Sequence, residues 1–147
     1  MLISIIMYVG DIMYFIKRSK EGIEIGSENG SLYVNSSLKK YINNMCLKKL
    51  STYDGRRESV SKFLNENNNI PIYVNDDIIL YPTKSIRCYD TVFVNFNEVL
   101  SIKKHRNGYT SLIFTNLSEI LLKISFNRIL KQHSRINKIL EYLDNNE

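Results

Sequence analysis

The chain is 147 residues long, 44% apolar and 24% charged, with 20 basic against 15 acidic groups and a net charge of +5. That length and balance describe one globular domain with a buried core and exclude a disordered chain. The only cysteines, Cys46 and Cys88, form no CxxC pair, which argues against a disulfide scaffold or a zinc site and fits a reducing cytoplasm.

Residues 1–16, MLISIIMYVGDIMYFI, are apolar, but they lack a basic start, carry Asp11 and lead into no small-residue cleavage site. They also fall short of the roughly 18–20 apolar residues of a membrane helix, so they predict one or two buried strands. Met7 and Met13 are alternative starts that would leave residues 1–6 as an appendage. Ile12–Lys17, Ile23–Gly26 and Leu32–Val34 read as β-runs divided by Gly22, Gly26 and Asn29-Gly30. From Ser36 the period changes. Leu38, Tyr41, Ile42, Met45 and Cys46 share one helical face and predict a Ser-capped helix over 37–49, with Cys46 in the core. STYDG (51–55) breaks that helix, and a second over about 56–65 turns Val60, Phe63 and Leu64 inward.

Strands return at Ile70–Val74 and Ile78–Tyr81, a hairpin around Asn75-Asp76-Asp77. Thr91–Asn95 follows, with Val92 and Val94 on one face and Phe93 on the other. Val99–Lys104 and Tyr109–Thr115 flank Asn107-Gly108, the strongest hairpin signal in the chain. Glu119–Ile124 is the last strand, and Phe126–Tyr142 the last helix. The fold class is α+β: a mostly antiparallel sheet, because the connections are too short for crossovers, with two central helices and a C-terminal amphipathic helix. With no linker or repeat, residues 1–147 form one domain.

Catalytic signatures are missing. The six glycines make no phosphate loop or nucleophile elbow, and His105 and His133 have no metal-ligand spacing. The sequence therefore points to no catalytic residue, no metal and no cofactor.

The basic groups carry the functional signal. The absence of Ala, the 20 Ile and the 17 Asn indicate an A/T-rich genome, which inflates Lys, so distribution outweighs total charge. Residues 36–66 and 99–147 each carry a net +4, while 1–35 and 67–98 are net −1 and −2. Brought onto one face, such blocks attract a polyanion. Lys48 and Lys49, then Gly55-Arg56-Arg57 and Lys62, place cations beside a helix start whose backbone N–H groups suit phosphate. The competing reading pairs Arg56 with Asp54 or Glu58. Lys103, Lys104, His105 and Arg106 make a cationic hairpin tip that can track a phosphate backbone, or simply a soluble turn. Arg128, Lys131, Arg135 and Lys138 line one stripe of the last helix, opposite Phe126, Ile129, Leu130, Ile136, Leu140 and Leu143; a solvated helix face gives the same stripe.

In order, STYDGRRES (51–59), NNIPIYVNDDIILYPTKS (68–85) and TVFVNFNEVLSI (91–102) resemble the ComK family of competence transcription factors. The matches are Gly55-Arg56, Pro71-Ile72, Tyr81-Pro82-Thr83-Lys84-Ser85 and Phe93-Val94, and the likeness covers residues 10–140. Phe93 stands where the family has Trp. The best-known members carry a C-terminal tail for activation and for an adaptor of the Clp protease; the chain ends at Glu147 without an equivalent. DNA binding therefore carries over better than activation or regulated proteolysis.

The resemblance implies a cytoplasmic, nucleoid-associated activator that binds A/T-rich boxes in double-stranded DNA through the minor groove. It implies work as a homodimer or higher oligomer, with RNA polymerase and the Clp adaptor as further partners and no membrane. The candidate DNA-binding residues are Lys48, Lys49, Gly55, Arg56, Arg57, Lys62, Lys84, Lys103, Lys104, Arg106, Arg128, Lys131 and Arg135. Leu2–Ile6 and Tyr142-Leu143 offer apolar surface for an interface between copies, or else core. A pleckstrin-homology-like module binding anionic lipid or peptide is the alternative for a β-rich chain closed by an amphipathic helix.

Overall fold

A computed structural model describes residues 11–146; the expectations for residues 1–10, including Leu2–Ile6, lie outside them. The described residues form β1 (Met13–Ser19), β2 (Gly22–Ser27), β3 (Gly30–Val34), α1 (Leu38–Leu47), α2 (Tyr53–Leu64), β4 (Ile72–Tyr73), β5 (Ile79–Pro82), β6 (Val92–Asn95), β7 (Val99–Lys104), β8 (Thr110–Phe114), β9 (Glu119–Leu122) and α3 (Phe126–Asn145). The order is the α+β succession that the alternating periods predict. All strand pairs are antiparallel. They build two sheets, six strands in the order β3-β2-β1-β6-β5-β4 and three in the order β7-β8-β9.

The large sheet is covered on both faces because the buried stretches of its central strands, Met13–Ile16 and Val92–Val94, are apolar at every position, while alternate side chains point to opposite sides. Ile16, Leu80 and Phe93 pack with Leu38, Ile42, Met45 and Cys46 of α1 and Tyr53 of α2. Tyr14, Tyr81, Val92 and Val94 face the other way, toward Leu112 and Phe114 of the small sheet and Ile129 and Ile136 of α3. Tyr14 stacks on Phe114 with ring centroids 4.8 Å apart, joining the two sheets. Each fully buried side chain of this size stabilises the fold by about 1.5–3 kcal/mol. The divided facing of Val92, Phe93 and Val94 is as the sequence predicts.

One element starts earlier than predicted. α2 includes Tyr53-Asp54-Gly55, because Thr52 acts as its cap: the Gly55 N–H donates to the Thr52 hydroxyl at 2.9 Å. A Cβ at Gly55 would lie 2.9 Å from that same oxygen, so glycine is what lets the cap close. The STYDG segment thus initiates a helix instead of merely ending one.

Antiparallel strands send successive connections to opposite ends of a sheet. At one end lie the β2–β3, β4–β5, β6–β7 and β8–β9 connections and the entry to β1. Hydrogen bonds knit them together: the Asn116 amide donates to the Glu28 carbonyl, Asn97 to that of Asp76, and the Thr115 hydroxyl to the Glu98 carboxylate. At the other end lie the β1–β2, β5–β6 and β7–β8 connections, the entry to β4, and the β9–α3 step. Charge follows this division.

Candidate nucleic-acid interface

The second end is the basic one. The β5–β6 loop supplies Lys84 and Arg87, the β7–β8 hairpin Lys103, Lys104 and Arg106, and the β9–α3 step Lys123, with Arg128 and Lys131 on the first turns of α3. The structure draws these segments together. The Thr110 hydroxyl donates to the Ile124 carbonyl at 2.8 Å, tying the hairpin to the start of α3. The buried Gln132 side chain donates to the carbonyls of Asn69 and Pro82, at 2.7 and 3.0 Å. Two clefts meet there. One is lined by Lys39, Arg57, Asn68, Asn69, Pro82 and Arg87 among others, and its neighbour by Asn68, Asn69, Pro82, Arg128 and Lys131.

Most acids at this end are neutralised. Asp54 pairs with Lys39 at 3.1 Å, and Asp90 pairs with Lys84. The hydrogen bond from Lys84 holds the Asp90 carboxyl below the usual carboxylate range. Glu66 also sits below that range: its slight burial pushes upward, but the facing Arg135 and Lys131 outweigh it. Arg87, Lys103, Lys104, Arg106 and Arg128 have no side-chain partner among the described residues, and Lys123 makes no side-chain hydrogen bond or close ion pair but acts on Asp90 through space, so their charge is available to a polyanion.

The first predicted constellation is divided. Arg57 reaches the cleft, its guanidinium donating to the Asn67 carbonyl at 2.7 Å. Arg56 turns inward, with its guanidinium 5.6 Å from the Tyr73 ring centre and its buried Nε lacking a hydrogen-bond partner. The expected alternatives for it are taken, since Asp54 pairs with Lys39 and Glu58 with Lys62. Lys62 is thus in a surface ion pair worth only about 0.3–0.5 kcal/mol. Lys48 and Lys49 stand exposed on the α1–α2 connection and line neither cleft. The phosphate site expected at the helix start is largely closed. The N–H of Tyr53 donates to Asn43, that of Gly55 to the Thr52 hydroxyl and that of Arg56 to the Thr52 carbonyl.

The stripe on α3 needs a correction. Arg128 and Lys131 are exposed, but Arg135 is only 5% exposed. Its guanidinium donates to the carbonyls of Asn68 and Asn69, the Gln132 side-chain oxygen and the Glu66 carboxylate, at 2.9–3.1 Å. Arg135 sits at the boundary between the charged and apolar faces of α3, and the Asn67–Asn69 loop folds over that boundary. Leu130, expected inside, is 43% exposed. At the far end of α3, Leu143 packs with Val60, Ile70 and Ile139, and the Tyr142 ring meets that of Phe63 at a tilt, with centroids 4.8 Å apart. The core reading therefore holds in part for Leu143, whereas Tyr142, and Phe63, which was expected to face inward, stay at the surface.

Lys39, Arg87, Lys123 and the half-buried Arg18 were not singled out in the sequence. No local signal marks them, because the long-range β1–β6 pairing decides which connections share an end. Arg18, Arg87 and Lys123 belong to the end that carries the 103–106 hairpin.

Tyr81 and His133 form a buried polar pair beneath this end, with Oη and Nε2 2.9 Å apart and the His133 ring also against Phe96. Burial lowers the His133 pKa to about 4 and raises that of Tyr81, so a neutral imidazole and a protonated phenol share this hydrogen bond.

Among the described residues, no helix is long and apolar enough to cross a membrane. The family model described as ComK protein matches residues 12–146, nearly the whole chain. Neither a curated protein nor a solved structure matches.

Proposed function

From the premise that the chain belongs to the ComK family of competence transcription factors, we propose that it binds A/T-rich double-stranded DNA through the basic end of its sheets. The observation that carries this reading is the convergence of Arg87, Arg106 and Lys123 on alternate connections, Lys103 and Lys104 at the end of β7, Arg57 of α2 and Arg128 and Lys131 of α3 onto one end. Phosphate contacts from such a surface supply sequence-independent affinity. A/T tracts narrow the minor groove and deepen its negative potential, which draws in Arg, and Arg87 and Arg106 both sit on projecting turns without side-chain partners.

Lys48, Lys49, Arg56, Lys62 and Arg135 fall outside this surface, and Lys84 serves it from within the loop. One surface of this size covers one short box, so reading two boxes calls for a symmetric pair of chains. Gel shifts on A/T-rich and G/C-rich duplexes at fixed salt test the reading. A/T duplex should bind more tightly, and distamycin, which fills the A/T minor groove, should compete. Equal affinity for both duplexes, with no effect of distamycin, overturns it.

A further inference from the structure

The β5–β6 loop is more ordered than a nine-residue surface connection needs to be. Residues 85–91 form two consecutive turns that share Cys88: its N–H donates to the Ser85 carbonyl at 2.9 Å, and its own carbonyl accepts from the Thr91 N–H at 3.2 Å. The Thr91 hydroxyl donates to the Ser85 carbonyl and closes the ring. At the base, the Val92 N–H donates to the Thr83 hydroxyl at 3.0 Å and the Thr83 N–H to the Val92 carbonyl at 2.9 Å. Lys84 and Asp90 pair across the loop.

The remaining support comes from another strand. Arg18, near the end of β1, donates from one guanidinium nitrogen to the Cys88 carbonyl at 2.8 Å and from the other to the Ile86 carbonyl at 2.7 Å. Those carbonyls flank Arg87. A planar fork that holds both leaves the intervening residue at the outer corner of its turn, and Arg87 is exposed there, as is Tyr89 at 64%.

We propose that Arg18 is a positioning residue whose fork holds the β5–β6 loop as a preformed element presenting Arg87 to the nucleic acid. The inference rests on the DNA-binding reading above and adds to it the residue that sets the reading side chain in place. Ordering a loop on binding costs conformational entropy for each backbone residue fixed, so a loop ordered beforehand binds without that loss. Arg18 acts through shape rather than charge. Lysine keeps the charge but places one compact ammonium where two carbonyls need separate donors.

The test is a double-mutant cycle of Arg18→Lys and Arg87→Ala, read by affinity for an A/T-rich duplex over a range of salt and by hydrogen exchange in the full chain. Arg18→Lys should weaken binding about tenfold, leave the salt slope unchanged, and speed exchange of the Cys88 and Thr91 amides while the central strands stay protected. Arg87→Ala should weaken binding and flatten the slope by about 0.9, one phosphate contact. In the Arg87→Ala background, Arg18→Lys should weaken binding less than twofold further. Wild-type affinity in Arg18→Lys, or a full tenfold loss on top of Arg87→Ala, overturns the positioning role and leaves DNA binding standing. A wild-type chain that binds no duplex overturns the DNA-binding reading and this role with it.

Discussion

The two ends of the sheets are built alike and charged oppositely. At one, the β2–β3, β4–β5, β6–β7 and β8–β9 connections and the entry to β1 carry Asp11, Glu28, Asp76, Asp77 and Glu98, without one Lys or Arg. At the other, the β1–β2, β5–β6, β7–β8 and β9–α3 connections carry Lys20, Lys84, Arg87, Arg106 and Lys123 against Glu21 and Asp90. Four of these five acids are engaged locally: Glu98 and Asp76 accept from Thr115 and Tyr73, Asp11 accepts from Asn29, and Glu28 accepts from the Ile12 N–H. At the second end several cations meet no protein group. Local partners make the acid end a structural cap, and unpartnered cations make the basic end a surface that waits for anions. A polyanion approaching this molecule is thus oriented as well as attracted.

Reversing the unpartnered cations should have the largest effect. Arg87→Glu, Lys123→Glu and Arg128→Glu together remove three candidate phosphate contacts and disturb no ion pair or side-chain hydrogen bond among the described residues. At about 0.9 of salt slope per contact, their loss should cost roughly 100-fold in affinity at about 0.15 M salt, and reversal rather than deletion adds to that. Gel shifts measure the affinity, and a urea titration should return an unchanged midpoint. A hundredfold loss with intact stability sharpens the comparison; undiminished binding would move the interface elsewhere.

The sequence showed each connection but not the end to which it belongs. Periodicity finds β1 and β6 separately, because each needs only its own side chains. The Ile16–Phe93 register between them joins strands 77 residues apart and has no local signal. Yet that pairing fixes which loops share an end. Charge counted by sequence block therefore misleads: residues 67–98 are net −2, but the fold sends Asp76, Asp77 and Glu98 to one end and Lys84 and Arg87 to the other. Arg135 was misread for a related reason. Spacing of 3, 4 and 3 places it on the stripe with Arg128 and Lys131, and only the Asn67–Asn69 loop, which arrives from α2, makes it a buried donor. The exposure of Lys103, Lys104, Arg106, Arg128 and Lys131 was legible, because a hairpin tip and the polar face of a first helical turn need no tertiary partner.

Acid should probe the join between the ends before it neutralises either. His133 lies between Tyr81 of β5 and Phe96 at the acid end, and burial depresses its pKa to about 4 from the usual 6.5. The unfolded chain takes up this proton from pH 6.5 downward and the folded chain only near pH 4. The stability owed to a neutral His133 is therefore complete above pH 6.5 and is lost as pH falls toward 4. Allowing for the partial solvent access of the ring, the loss should be about 1–2 kcal/mol. Urea midpoints at pH 7, 5.5 and 4.5 measure it. His133→Phe should be about 1 kcal/mol less stable at pH 7, because the buried Tyr81 hydroxyl loses its hydrogen-bond partner, and should show a flatter profile across this window. A wild-type profile as flat as that of the variant would remove His133 from the account.

The smallest effect is expected at the acid end. Asp76→Asn, Asp77→Asn and Glu98→Gln remove three negative charges while keeping acceptors for the Tyr73 and Thr115 hydroxyls. Strands of four to seven residues, at about 3.3 Å each, separate the two ends by roughly 15–20 Å. That is about two Debye lengths at physiological salt, where the potential of an exposed charge is mostly screened. Duplex affinity should therefore stay within about twofold at 0.15 M salt and tighten only modestly at 0.01 M, where screening reaches about 30 Å. Affinities measured at both salts read this directly. Tenfold tighter binding at the higher salt would place the carboxylates beside the duplex, and the division of the molecule into an anion-facing end and an opposite cap would fail.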